Sequence, residues 1–183
     1  MKKMIAGGLA LTVLALPALA MAPKSGLQPG ETVSAFHPNH ISGPDKGTDT
    51  CPPCKYGNRP AVQVWVNHES ADVMVPVIQH LNKRVAASKN EFKAFVINVA
   101  SCAGCMDRAN DYAKKANSPL VAIANLNADD EAVQAYKFRM NKDVTNTVIV
   151  YRNRKVVANF VNFKPTAANM KALDAAISKV DVK

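Results

Sequence analysis

The sequence predicts an α/β fold: a three-layer sandwich with the element order β-α-β-α-β-α-β-β-α, preceded by an irregular N-terminal arm. Two observations predict it. Short β-branched runs fit for buried strands alternate with segments whose apolar residues recur at helical spacing, an alternation that calls for a largely parallel sheet covered on both faces. Seven of the eleven prolines fall between Pro23 and Pro60, which excludes a long helix there. With 183 residues, 48% of them hydrophobic, the chain can build one compact core plus an appendage but not two full domains.

The elements follow in order. Ala61 to Val66 reads as a buried strand, with the lone Trp65 in the core. Met74, Ile78, Leu81 and Val85 lie on one helical stripe, and His80 beside it reads as solvated. Phe92 to Val99 is a second strand, after which Ser101 is placed to cap a helix lined by Met106, Ala109, Ala113 and Ala116. Leu120 to Ala124 is a third strand. Asp129 to Met140 reads as a helix with acids at its positive end. Thr147 to Tyr151 and Val156 to Phe163 form a hairpin around Arg152-Asn153-Arg154. A last helix carries Met170, Leu173, Ile177 and Val180 on one stripe.

The first twenty residues have the pattern of a bacterial signal peptide. Lys2 and Lys3 precede an apolar stretch from Met4 to Leu16, and Ala18-Leu19-Ala20 offers a small-x-small cleavage site. The expected division is 1–20 signal peptide, 21–60 arm and 61–183 folded domain, in a periplasmic or secreted protein without stable membrane insertion after cleavage. Loss of Lys2 and Lys3 lowers the net charge from +9 to +7. Basic residues are scattered with no run of five, so no nucleic-acid partner is expected.

Four cysteines fall in two identical spacings, Cys51-Pro52-Pro53-Cys54 in the arm and Cys102-Ala103-Gly104-Cys105 after the second strand. In an oxidising compartment an even number of cysteines predicts disulfides. Parallel strands deliver their following loops to one edge of the sheet, where ligands and substrates bind. A helix start there favours a thiolate. Cys102 would then attack a partner disulfide and Cys105 would resolve it, or the pair is a stable disulfide that staples the turn. Cys51 and Cys54 would be a second dithiol or relay, without a helix dipole because Lys55 to Pro60 does not read as helical. A different reading makes the four cysteines, with His37 or His40, a zinc or copper site. The seven residue-to-residue steps from Cys54 to Ala61 could span roughly 20 Å, enough for the arm to fold back. A third makes both pairs permanent disulfides on a protein that binds a partner through its basic surface. In the redox reading no cofactor is needed and the partners are protein thiols or disulfides.

From Pro60 to Lys183 the chain resembles thioredoxin-like proteins of the exported redoxin type, in topology more than in motif. Val64-Trp65-Val66 followed by Pro76 matches the frame in which those proteins carry their CxxC pair. Counting back from Pro76, that pair would fall on His68 and Ala71, and neither is cysteine. The resemblance also implies a cis-proline before the hairpin, where this chain has Asn146. The scaffold is thus expected with its sulfur moved from the first crossover to the second.

Overall fold

A computed structural model of the protein describes residues 23–182. Residues 1–20, where a signal peptide is expected, lie outside the described residues. One six-stranded sheet forms the centre, in the order β1 (Asn39–Ser42), β4 (Ala122–Asn127), β3 (Lys93–Ala100), β2 (Ala61–Val66), β5 (Asn146–Arg152), β6 (Lys155–Val161). Strands β2, β3 and β4 are mutually parallel, and β5 and β6 close one side as an antiparallel hairpin. All six residues of β2 are buried, because a central strand of such a sheet is covered on both faces. Asn153 and Arg154 take left-handed conformations (φ 52° and 59°), which matches the right-handed twist of a tight hairpin.

The two faces are covered differently. On one, the helices α2 (Ala71–Ala87), α3 (Ala103–Ala116) and α5 (Ala167–Val180) pack Ile78, Leu81, Tyr112 and Leu173 against Val62, Val64, Val96 and Val148. The expected surface role of His80 is corrected here. It is half-buried, and its Nε2 lies 2.8 Å from the Asp174 carboxylate, tying α2 to α5.

Among the described residues the other face has two five-residue helices, α1 (Pro52–Tyr56) and α4 (Glu131–Ala135), and the arm completes the layer. Phe36 lies against Trp65 and Tyr136, with ring centroids 5.3 and 5.2 Å away, and Leu27 and Val33 are buried with it. Residues 30–33 pair with the start of β6, and further on the arm forms β1 (Asn39–Ser42), antiparallel to β4. The arm therefore spans the sheet: it pairs with the start of β6 at one edge, and at the other it covers β4 and itself becomes the edge strand. Gly43 (φ +81°) lets it turn there, since a Cβ would sit 2.5 Å from the Val121 carbonyl oxygen.

Two expectations are corrected by this packing. The arm is not an irregular appendage: it supplies a strand, a helix and part of the core. The helix expected over Asp129 to Met140 stops at Ala135 because the arm takes over the backbone beyond it. Gly26 N–H donates to the Lys137 carbonyl (3.0 Å), the Ser25 hydroxyl accepts from Arg139 N–H (3.1 Å), and Lys137 turns left-handed (φ 55°).

Candidate functional site

Strand β3 delivers the chain at Ala100 to the sheet edge, and Cys102 there takes an extended conformation (φ −148°, ψ 156°) as the N-cap of α3. The cap falls one residue later than the Ser101 expected from sequence. Its sulfur accepts from the Cys105 backbone N–H at 3.1 Å. Cys102 and Cys105 form a disulfide with Cα atoms 5.1 Å apart. Cys102 is exposed while Cys105 is buried, so an incoming sulfur meets Cys102 first. A negative sulfur at this cap would be held by the Cys105 amide and by the positive end of a 14-residue helix.

Two buried amides fix this turn from below, and sequence reasoning missed both. Asn98 on β3 donates to the Cys105 carbonyl (3.0 Å) and to the Asn125 Oδ1 (2.8 Å), while Asn125 on β4 donates to the Met106 carbonyl (3.3 Å). The signal was present: Asn98 interrupts a run of apolar strand residues at a fully buried position. A buried amide costs stability unless it is bonded, so its presence in a core strand marks a partner. A cleft of about 560 Å³ opens beside the pair, lined by Ser101, Cys102, Met106, Asn127 and Asp129 among others.

The Cys51–Cys54 pair is a second disulfide (Cα–Cα 5.3 Å). The structure corrects the absence of a helix expected after it, since α1 begins at Pro52. Prolines fit its first positions because the amides there have no helical partner. Cys51 caps α1 and accepts from Cys54 N–H (3.2 Å), but α1 has five residues. Accessibility is reversed from the first pair: Cys51 is buried and Cys54 exposed. Lys55 forms an ion pair with the buried Asp45 beside it.

The four cysteines do not share one site. Each pair is closed on itself, and among the described residues no three His, Cys, Asp or Glu side chains converge as a metal-ligand group. His37 and His40 are turned to the arm's own backbone instead, with His37 Nδ1 3.0 Å from the Asp49 carbonyl and His40 Nε2 2.8 Å from the Thr50 carbonyl.

The position that the resemblance assigns to a first sulfur holds His68, exposed with φ 57°, whose Nδ1 accepts from Arg108 (3.1 Å). Next to it lies the buried Glu69. Its carboxylate accepts from Thr145 Oγ1 (2.6 Å), Asn146 Nδ2 (2.8 Å), Lys164 Nζ (2.8 Å) and Ser70 N–H (3.0 Å). Asn146 also exchanges hydrogen bonds with the Phe163 backbone (2.8 and 3.1 Å), and no cis peptide bond occurs among the described residues. Burial pushes the Glu69 carboxyl up, and the bonds from Lys164, Thr145, Ser70 and Asn146 outweigh it, holding it below the usual carboxylate range.

A folded value below the unfolded one means that this carboxylate stabilises the protein above about pH 4.3. The contribution is lost as pH falls through the folded value. Glu69→Gln is expected to cost about 2 kcal/mol at neutral pH. In urea unfolding at a series of pH values, the gap between wild type and variant should close on acidification. A gap independent of pH would refute the assignment.

No protein-family model and no curated protein sequence matches the chain. Solved structures do. The protein is similar to one assigned as a thiol:disulfide interchange protein DsbE from Chlorobium tepidum, with a TM-score of 0.65, 16% identity, and coverage of 85% of this chain and 99% of that one. The thioredoxin domain of a thiol-disulfide oxidoreductase from Bacteroides vulgatus matches with TM-score 0.59, 12% identity, and coverage of 82% and 99%. A secreted Mycobacterium tuberculosis disulfide oxidoreductase homologous to E. coli DsbE matches with TM-score 0.52, 14% identity, and coverage of 80% and 95%. The fold is thioredoxin-like. At such identities the likeness extends to the scaffold only, and the chemistry must be argued from the residues of this chain. Within the thioredoxin-like frame, the sulfur pair at the edge of the sheet belongs to the crossover after β3, not to the one after β2.

Proposed function

We propose that the protein carries out thiol–disulfide exchange at Cys102–Cys105, as an exported protein acting on protein thiols or disulfides. The observation that carries this reading is the asymmetry of the pair: an exposed sulfur caps a full-length helix, and its partner is buried one turn in. In the oxidised form, a substrate thiolate attacks Cys102 Sγ. The Cys102–Cys105 bond breaks, Cys105 leaves as a thiolate, and a mixed disulfide links Cys102 to the substrate. A second substrate thiolate then attacks the substrate sulfur of that bond and expels Cys102. Two electrons pass from the substrate dithiol to the pair. Run backwards, the same steps let the reduced pair cleave a substrate disulfide.

Export is supported by the charged and apolar pattern of residues 1–20 and by two disulfides in one small chain. Among the described residues no helix is long and apolar enough to cross a membrane. In this reading Cys51–Cys54 is a second dithiol, reached from solvent through Cys54.

The test is a redox titration of the mature chain in glutathione buffers, with each pair followed by alkylation and peptide mass spectrometry. Cys102–Cys105 is expected to equilibrate between about −120 and −270 mV, the range of catalytic dithiols. A potential below about −300 mV would make it a structural staple.

A further inference from the structure

We infer that the substrate of Cys102 is an extended polypeptide segment of about six residues, with opposite charges on the two sides of its cysteine; this rests on the exchange function proposed above. The cleft at Cys102 continues in both directions along the sheet edge. Through Ser101 and Ala128 it joins a second cleft of about 340 Å³, lined by His68 and Lys142 at the ends of β2 and β5. Through Met106 and Asn127 it joins a third of about 210 Å³, lined by Asn39 of β1. The furrow thus crosses five strands, a span of roughly 19 Å at ~4.8 Å per strand, or about six residues of extended chain.

Cys102 lies between two ends of opposite charge. Toward β5 stands the exposed Lys142, with His68 held against the Arg108 guanidinium. Asp129 lines the Cys102 cleft itself, and toward β1 stands Asp130, fixed as the N-cap of α4, with His37 in the same cleft. Between them the wall at Cys102 is mostly small or apolar, with Ala100, Met106 and Ala128, and Asn127 supplies one side-chain amide that can pair with the backbone of any extended sequence. Charges fixed at the two ends of a furrow select orientation and raise the encounter rate of a segment of complementary polarity. A small thiol would occupy one cleft and feel one end.

The experiment uses the mature chain, reduced with dithiothreitol, and three peptides whose central cysteine is a mixed disulfide with 2-thiopyridine. Cys102 attacks the peptide sulfur and releases thiopyridone, and Cys105 then displaces the peptide thiol and re-forms the protein disulfide. One peptide has Glu before and Arg after its cysteine, the second has them reversed, and the third has Gln at both places. Rates are taken above those of Cys102→Ser. At low ionic strength one charged peptide should react about fivefold faster than the neutral one and the other more slowly, an advantage that shrinks with salt. The double variant Asp129→Lys/Lys142→Glu should exchange the two preferences, and the milder Asp129→Asn and Lys142→Gln should each flatten them. Equal rates for all three peptides above the serine background would overturn the polarity argument and leave the exchange function standing. No peptide reacting above that background would overturn the exchange function itself, and this inference with it.

Discussion

Cys102→Ser is expected to lower disulfide exchange by at least about three orders of magnitude, because a hydroxyl at the cap cannot form the mixed disulfide on which both half-reactions depend. Cys105→Ser should behave differently. Cys102 still attacks a substrate disulfide, but no thiol beneath it displaces the product, so a covalent protein–substrate adduct accumulates. Intact-mass analysis after incubation with a disulfide-bonded peptide distinguishes the two variants. The prediction follows from burial: the sulfur that meets solvent is Cys102, and the one held down by Asn98 through its own carbonyl is Cys105. Full activity in Cys102→Ser together with its loss in Cys54→Ser would move the reactive site to the arm.

Phe36→Ala is expected to destabilise the oxidised protein by about 3–5 kcal/mol, the usual cost of deleting a buried aromatic ring. In a domain of this size that corresponds to a fall of roughly 10 °C in Tm. Phe36 is 5% exposed and sits among Trp65, Phe95 and Tyr136, so its removal opens a hole in the layer that the arm contributes. Three residues later the arm becomes β1, and the edge of β4 depends on it. Urea unfolding followed through Trp65 fluorescence measures the loss. Val157→Ala, at an exposed position on β6, serves as the reference and should stay within about 0.5 kcal/mol. A Phe36 effect as small as that of Val157 would mean that the arm is an ornament on the fold and not one of its layers.

Legibility in the sequence tracked how local the controlling interaction is. The strands β2, β3, β5 and β6 and the helices α2, α3 and α5 were readable because their apolar period is written in consecutive residues, and burial of that stripe outweighs local competition. The end of α4 was not readable, because Ser25 and Gly26, more than a hundred residues earlier, take the backbone groups that would have continued it. Strand β1 was hidden for the same reason: its pairing with β4 is long-range, and Pro38 and Gly43 around it read as breakers. The short helix α1 was hidden because proline is a helix breaker everywhere except in the first turn, where both prolines stand.

The candidate site divides along the same line. Sequence alone determined the two CxxC pairs, the departure of sulfur from His68 and Ala71, and the placing of Cys102 where a strand ends and a helix begins. These depend on spacing and on the handedness that sends all parallel crossovers to one edge. Only the tertiary structure decided that the two pairs close separately, that Cys102 is the exposed sulfur and Cys105 the buried one, and that Glu69 and Asn146 bond to each other beside His68. Accessibility and hydrogen-bond partnership depend on which distant segments pack together, and no local stretch of sequence carries that information.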